Sequence, residues 1–100
     1  VGTFSFIIGD EPTYRVLLNG HWHADRPYGT IHRLASKGTA HGVARACFSF
    51  CLGIMDYVRI DTHENNHTMQ SAITGYGFRK CGNIYASNGT LRTAYDFIRP

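Results

Sequence analysis

The chain has 100 residues, a length that allows one small domain with a modest hydrophobic core. Hydrophobic residues make up 43% of it, which excludes an intrinsically disordered chain. The formal net charge is +3 and no run of Lys or Arg occurs, so we expect a solvated surface and no nucleic acid as partner. Since no apolar run approaches the roughly 20 residues of a membrane span, we expect no membrane partner either.

The first third of the chain is predicted to form β-structure. An apolar strand is predicted at Val1–Ile8, a turn at Gly9–Thr13 and a short strand or extended segment at Tyr14–Leu18. Gly, Pro, Asn and Asp make Asn19–Gly29 a loop, and Thr30–Ala35 is the next strand.

The first helix is predicted from a change of period at Val43. Apolar residues then recur at helical spacing, and a second apolar set covers the opposite side, which predicts a helix that is buried on most faces. The first set is Val43, Cys47, Phe50, Cys51 and Ile54, and the second set is Ala44, Phe48 and Leu52.

The rest of the chain is predicted to hold a second helix and a hairpin. The remaining elements are strand Tyr57–Thr62, a helix from Asn66 to about Gly75, strand Phe78–Ser87 and strand Thr90–Ile98. Gly77 marks the stop of this helix, and Asn88-Gly89 is the turn of the hairpin. The order β-β-β-α-β-α-β-β predicts an α+β fold, a single domain over residues 1–100 with helices packed on a mixed sheet.

The three cysteines are Cys47, Cys51 and Cys81, an odd number without the spacing of a disulfide framework. Free thiols of this kind are typical of a reducing compartment. We therefore expect a cytoplasmic protein.

Gly42 lies where the loop after the third strand meets the first helix, within the segment TAHGVAR. The first N–H groups of a helix lack intrahelical partners and attract anions, and a glycine lets a phosphate approach the backbone. The segment therefore predicts either a pyrophosphate site or simply a glycine that precedes a buried helix. It lacks the Lys-Ser/Thr of a P-loop and the three glycines of a dinucleotide-binding fingerprint.

Neither a metal site nor a reactive nucleophile is indicated by the spacing. Three pairs have ligand-like spacing: His21 and His23, His63 and His67, and Cys47 and Cys51. However, neither a CxxC pair nor an HExxH motif occurs, and cysteines in apolar segments behave as small hydrophobes. We expect no metal site and no cysteine or serine hydrolase.

Several polar residues are candidates for proton transfer. Asp61 ends a strand, His32 lies within a strand beside Arg33, and Glu11 and Tyr14 share a turn. Each of them has an alternative role as a surface or capping residue.

The segment NHTMQSAITGYGF, residues 66–78, resembles the asparagine-to-Gly-Phe segment of the GNAT superfamily of N-acetyltransferases. The matching positions are Asn66, Met69, Gly77 and Phe78. Upstream, IHRLASKGTAHGVA is similar to the strand and loop that hold acetyl-CoA in that family, with matches at Gly42 and Ala44. The resemblance covers essentially the whole chain and implies the C-terminal portion of the GNAT acyl-CoA N-acyltransferase fold.

The resemblance implies that acetyl-CoA inserts between two adjacent parallel strands that splay apart, here Thr30–Ala35 and Tyr57–Thr62. Unpaired backbone groups at Arg33 and Leu34 would bond to the pantetheine amides, and Asn66 would bond to the pantetheine arm. The backbone amides implied to hold the pyrophosphate are those of His41, Gly42, Val43, Ala44 and Arg45.

The implied reaction is direct transfer of an acetyl group to a primary amine of a small molecule or peptide. It needs a base for the amine and a proton donor for the leaving thiolate. Asp61 stands where some members carry a glutamate base, and His32 and Glu11, acting through water, are alternatives. The tyrosine that serves as general acid in the family corresponds in position to Ile73, and Tyr76 lies about one turn away. A second hypothesis is therefore a non-catalytic acyl-CoA-binding or oligomerisation module.

GNAT proteins normally begin with a strand, two helices and another strand, which have no counterpart in this sequence. The resemblance therefore implies either a piece of a longer domain or a chain that pairs as a homodimer. In both cases Val1–Ile8 is expected at an exposed edge of the sheet, where an unpaired strand favours association.

Overall fold

Seven helices and strands and one 3₁₀ turn follow one another along residues 2–36 and 40–100, the part of the chain that the computed structural model describes. They are β1 (Gly2–Ile8), the 3₁₀ turn (Pro12–Tyr14), β2 (Gly29–Ser36), α1 (Ala40–Ile54), β3 (Tyr57–His63), α2 (His67–Tyr76), β4 (Arg79–Tyr85) and β5 (Leu91–Ile98). Within these residues, no helix has the length and apolar character needed to cross a membrane.

The strands form one mixed sheet in the order β1-β2-β3-β5-β4. β2 and β3 are parallel and are joined by the crossover helix α1, whereas the other neighbouring strands are antiparallel. This arrangement confirms the predicted α+β fold with helices packed on a mixed sheet.

The two faces of the sheet are covered in different ways because successive side chains of a strand point to opposite faces. Val58 and Ile60 of β3 face α1 and α2 and belong to the larger core. Tyr57 faces the other way and packs with Tyr14 and Tyr28 in a second, smaller core. The long segment between β1 and β2 therefore covers the face that has no helix.

The predicted strand at Tyr14–Leu18 is wrong. Pro12–Tyr14 form a 3₁₀ turn, which the Glu11 side chain caps by accepting from the Thr13 N–H, and Leu18 makes only a single bridge to Asn83. Pro12 fixes the backbone at the start of this turn. The Tyr14 ring is buried in the smaller core, so burial rather than strand pairing explains the apolar residue at this position. The order of elements is thus β-β-α-β-α-β-β.

The segment from residue 17 to 24 is bound to the edge strand β4 by close backbone contacts. Leu18 and Asn83 exchange two hydrogen bonds of 2.8 Å, and the His21 N–H donates to the Cys81 carbonyl at 3.0 Å. A Cβ at Gly20 would lie 1.8 Å from the Cys81 carbonyl oxygen, so a glycine is required for this approach. The segment is therefore held against the sheet at a fixed position.

α1 is buried on one face and exposed on the other, in contrast to the prediction that most of its faces are buried. Phe50 is 61% exposed and Ile54 is 50% exposed. The buried face consists of Ala44, Cys47, Phe48, Cys51 and Leu52. The helix packs its buried face on the sheet and α2, and Phe50 and Ile54 of the first apolar set face outward because no second layer covers them.

β1 lies at one edge of the sheet, as predicted. Its side chains Phe4, Ile7 and Ile8 are exposed, and the Phe4 ring packs edge-on against Phe50 of α1 with 6.2 Å between the ring centroids. An apolar surface therefore continues from the edge strand onto the outer face of α1.

Candidate functional site

β2 and β3 separate part-way along their length. They pair only from Gly29–Ile31 with Val58–Ile60, and no further pair forms between them over residues 32–36 and 61–63, all of which are described. Between the pairs Ser5–His32 and Thr3–Ala35, β2 carries one residue more than β1. Such a bulge bends the strand that carries it, which explains why β2 turns away from β3 at this point.

A cavity of about 100 Å³ lies in the opening between these two strands. Leu34 from β2 and Met69 from α2 contribute apolar lining, and Asn66 lines it with a polar side chain. Asn66 is also the N-cap of α2, since its Oδ1 accepts from the Met69 N–H at 3.1 Å. The cap fixes the asparagine beside the opening.

A second and larger cavity of about 540 Å³ adjoins the first. The side chains that border both cavities are Ile31, Asp61 and Arg92. The 3₁₀ turn forms another wall of the larger cavity through Glu11 and Thr13. The point where β2 and β3 separate is therefore open to a cavity on each side.

His32 and Glu11 form a pair in the wall of the larger cavity. His32 Nε2 lies 3.1 Å from Glu11 Oε1, and the two side chains are 27% and 18% exposed. Burial by itself raises the pKa of Glu11, but hydrogen bonds from Thr13 and the nearby His32 outweigh it and hold that pKa below its ordinary value. Glu11 is therefore a carboxylate at neutral pH, and its contact with Nε2 fixes the orientation of the imidazole.

Asp61 lies deeper, and both of its carboxylate oxygens are engaged. Tyr14 donates its hydroxyl to Oδ1 at 2.5 Å, and Arg92 Nε lies 2.5 Å from Oδ2 as an ion pair without an aligned hydrogen bond. Burial, followed by the Asp61 charge, raises the pKa of Tyr14 well above its ordinary value, so the phenol stays protonated and continues to donate. This arrangement suits Asp61 for holding the cavity wall in place.

The helix α1 starts earlier in the chain than the sequence predicted. The helix begins at Ala40, so Gly42 lies within its first turn and does not precede it. Only the first four N–H groups of a helix lack an intrahelical acceptor, and those of Ala44 and Arg45 are therefore already engaged inside the helix. His41 and Gly42 keep the position that an anion site at this end requires.

Gly42 has no structural reason to be a glycine. Its φ angle is not among the positive ones, and a Cβ built on it meets no atom within 4 Å. Glycine in a helix costs about 0.5–1 kcal/mol relative to alanine, so its presence here is consistent with close approach of a ligand to the backbone.

The comparisons with known proteins identify the family to which this fold belongs. The structure of an acetyltransferase of the GNAT family from Streptococcus agalactiae 2603 matches 97% of this chain with a TM-score of 0.84 and 30% sequence identity. The chain spans 58% of the length of that protein. It belongs to the GNAT superfamily.

A second solved structure shares the fold at a greater distance. A chain of the NatC complex, solved bound to a Gag peptide and CoA, matches 99% of this chain with a TM-score of 0.69 and 17% identity, and 61% of that chain is covered. No family model and no curated protein matches the sequence.

The opening in this GNAT chain fits the pantetheine arm of an acyl-CoA in the chemistry of its donors. Beyond Ile31 and Ile60, β2 and β3 no longer pair with each other, and a chain of amides can bond to the backbone groups that face the opening as an added strand would. Leu34 and Met69 offer apolar contact to the methylene groups between the amides. The backbone groups and the apolar side chains of the opening are therefore chemically compatible with such an arm.

The structure brings together only some of the residues that the sequence indicated for cofactor binding. Leu34 and Asn66 line the smaller cavity. Ala44 is buried in the core, and the Arg45 guanidinium lies over the Tyr76 ring at 5.5 Å, so their side chains serve the packing of α1. Val43 lies in the first turns of α1, and the side chains of Arg33 and His41 fall outside the described residues.

The position of the family's general acid is filled by packing residues in this GNAT chain. Ile73 is fully buried in the larger core. The Tyr76 hydroxyl lies 3.0 Å from the Ser49 hydroxyl of α1, and the Tyr76 ring packs against Phe48 and Phe97. Neither side chain lines the cavities at the strand separation.

Sequence reasoning missed Arg92, which borders both cavities and neutralises Asp61. Arg92 is the second residue of β5, the strand that follows the hairpin turn. The local pattern of this segment indicates only a strand. Its register opposite His63 of β3 is what directs it to Asp61, and no local motif could have revealed that pairing.

Proposed function

We propose that this chain binds acetyl-CoA between β2 and β3 and transfers its acetyl group to a primary amine. The observation that carries the proposal is the meeting of two cavities at the strand separation, with the His32–Glu11 pair in the wall of the larger one. A thioester held in the opening and an amine held in the larger cavity would approach each other at that point.

The binding half of the proposal uses three parts of the chain. Backbone groups of β2 at Arg33 and Leu34 bond to the pantetheine amides, and Asn66, whose Oδ1 caps α2, donates from its NH₂ group to the same arm. The pyrophosphate lies on the backbone amides of His41 and Gly42 at the start of α1, where a helix end contributes about 0.3–1 kcal/mol toward an anion.

The catalytic half assigns proton transfer to His32. Glu11 holds the Nε2–H side of the ring, so the other nitrogen accepts the proton that the amine loses. Acetyl-CoA supplies an activated carbonyl carbon, whose bond to sulfur breaks as its bond to nitrogen forms, and the sulfur leaves as a thiolate. Asp61, engaged by Tyr14 and Arg92, keeps the wall between the cavities fixed and is less suited than His32 to accept a proton.

The acceptor belongs to the class of small-molecule or peptide amines. Arg92 neutralises Asp61 in the larger cavity, and the remaining carboxylate, Glu11, attracts a protonated amine before the amine gives up its proton. The NatC complex was solved with a peptide and CoA, which makes peptide N-termini the first acceptors to test.

We further propose a cytoplasmic location, because the cysteines are free thiols. We also propose that the chain forms a dimer through the exposed edge strand β1.

A second candidate function is acyl-CoA binding without turnover. The observation that favours it is the buried Ile73 at the position of the family's proton donor, together with Tyr76, whose hydroxyl is engaged by Ser49. Such a module would keep the strand separation and the start of α1 and lack the proton donor.

Calorimetric titration with acetyl-CoA, followed by an assay of thiol release, separates the two functions. Saturable binding and amine-dependent thiol release with small amines or peptides support acetyl transfer. Binding without release across the whole panel supports the second candidate, and the absence of binding at millimolar acetyl-CoA contradicts both.

A further inference from the structure

A cluster of three potential metal ligands lies on the sheet face opposite α1 and α2, away from the strand separation. His23 Nδ1 lies 2.6 Å from Asp96 Oδ1 and 3.4 Å from the Cys81 sulfur, and all three ligand atoms lie within 4.8 Å of one another. Asp96 is 1% exposed and Cys81 6% exposed. We propose that Cys81, His23 and Asp96 bind Zn²⁺ or a divalent metal of similar softness.

The fold directs each ligand to this point by a separate device. Cys81 is the extra residue of a bulge in β4, between the pairs Lys80–Tyr95 and Gly82–Ala94, and a bulge re-aims the side chain that it carries. His23 is placed by the loop that runs along β4, and its own N–H donates to Asp96 Oδ2 at 2.8 Å. The cluster therefore joins three elements that are distant in sequence.

Hydrogen bonds from neighbouring groups leave one carboxylate oxygen for the metal. Asp96 Oδ2 accepts from the His23 N–H and from the Tyr57 hydroxyl, both at 2.8 Å. Arg59 Nε donates to the same Tyr57 hydroxyl at 3.1 Å. Outer contacts of this kind orient metal ligands, and here they turn Oδ1 toward His23 Nδ1 and Cys81.

The distances match zinc coordination with one adjustment. Tetrahedral zinc with ordinary bond lengths sets nitrogen and sulfur about 3.5 Å apart and nitrogen and oxygen about 3.4 Å apart. The observed distance of 3.4 Å between His23 Nδ1 and the Cys81 sulfur already fits. The 2.6 Å between His23 Nδ1 and Asp96 Oδ1 is that of a hydrogen bond, so this pair must open when the metal replaces the shared proton.

The charges and the remaining coordination position also fit a zinc ion. Metal binding releases the Cys81 thiol proton and the shared proton to solvent. The resulting thiolate, carboxylate and neutral imidazole balance a divalent cation, so the buried site carries no net charge. A cavity of about 160 Å³ borders His23 and Asp96 and offers room for a water as fourth ligand. The bound metal would fasten the segment that contains His23 to β4 and β5.

Titration of the reduced, metal-free chain with Co²⁺ tests the proposal directly, because cobalt bound to a thiolate absorbs in the near ultraviolet by charge transfer. We expect this absorption to saturate at one Co²⁺ per chain, and Zn²⁺ to abolish it. The substitutions Cys81→Ser and His23→Gln should each weaken Co²⁺ binding at least tenfold, and Cys81→Ser should also remove the charge-transfer absorption.

Two control variants exclude other sites. Cys47→Ala removes a buried thiol of α1, and His21→Asn removes an exposed imidazole beside His23, and both should bind Co²⁺ as the unmodified chain does. The proposal is overturned if the folded chain shows no charge-transfer absorption, or if the absorption survives Cys81→Ser and disappears in Cys47→Ala. If Cys81→Ser does not fold, His23→Gln, which keeps all three thiols, decides the question by the loss or retention of affinity.

Discussion

The strand β3 has two neighbours, and its two sides differ sharply. Toward β5 it pairs along its whole length, in seven residue pairs from Tyr57–Ile98 to His63–Arg92. Toward β2 it pairs in only three. Since β3 itself is regular enough to pair fully on one side, the opening on the other side is a property of β2, whose bulge turns it away.

The polar groups on the two sides differ in the same way. Beside β5, Asp96, Tyr57 and Arg59 are buried and bonded to one another, so their interaction stabilises the fold. Beside the opening, His32 and Glu11 are partly exposed and line a cavity. The difference predicts that substitutions on the open side change acetyl transfer and that substitutions on the paired side change stability. Three substitutions test this prediction.

The largest effect is expected for His32→Gln on the open side. The glutamine amide can still donate to Glu11 but cannot accept a proton at neutral pH, so kcat for acetyl transfer should fall by about 10²–10⁴-fold. The unfolding midpoint in urea and the affinity for acetyl-CoA should stay unchanged. Steady-state thiol release measures the first quantity, and urea denaturation and calorimetry measure the other two.

The variant Asp61→Asn serves as the comparison for His32→Gln. Because Asp61 is engaged by Tyr14 and Arg92, we expect this change to lower stability more than it lowers kcat per folded molecule. A full loss of kcat in Asp61→Asn, with His32→Gln still active, would transfer the role of base to Asp61.

An intermediate effect is expected for Tyr57→Phe on the paired side. The change leaves buried Asp96 with one donor fewer, and a hydrogen bond to a charged group contributes about 1.5–3 kcal/mol. Urea denaturation should show a loss of that size, while kcat per folded molecule is unchanged. Tyr85→Phe, at a tyrosine that is 57% exposed, is the matched control and should change stability by less than about 0.5 kcal/mol.

The smallest effect is expected for Gly42→Ala at the mouth of the opening. Alanine should stabilise α1 by about 0.5–1 kcal/mol because glycine is a poor helix residue. Its methyl group should keep a phosphate from the backbone and weaken acetyl-CoA binding about tenfold, or about 1.4 kcal/mol. Calorimetry and thermal denaturation measure the two effects.

Gly53→Ala is the control for Gly42→Ala, since Gly53 lies in the same helix and also has no atom within 4 Å of a built Cβ. It should raise stability similarly and leave the affinity for acetyl-CoA unchanged. Equal affinities in both variants would mean that no phosphate contacts the backbone at Gly42.

Much of the fold could be predicted because its signals are local. α2 starts and stops where the sequence indicates, since Asn66 caps it and Gly77 adopts a φ of 125° that favours glycine. The strand predicted at Tyr14–Leu18 failed because apolar spacing cannot distinguish a strand from a buried 3₁₀ turn. The exposed Phe50 shows the same limit, since the helical period identifies the apolar positions of α1 but does not say which of them another element covers.

The candidate site could be predicted only in its separate parts. Gly42, His32 and Glu11 are visible in the sequence as individual candidates, yet Glu11 and His32 lie 21 positions apart along the chain. Their 3.1 Å approach depends on the path of the segment that joins β1 to β2. The role of Asp61 differs most from the one predicted from the sequence, because Tyr14 and Arg92 contact it from distant parts of the chain.

The sequence by itself determined the caps of α2, the hairpin turn and the strand character of β3, and it indicated the resemblance to the GNAT superfamily. The caps, the turn and the strand each depend on residues within about one turn or one strand of each other. Tertiary structure alone decided where β2 leaves β3 and which polar groups meet. One bulge in β2 opens the sheet between β2 and β3, and another in β4 turns Cys81 toward His23, because an inserted residue changes both the direction of a strand and the face of its side chains.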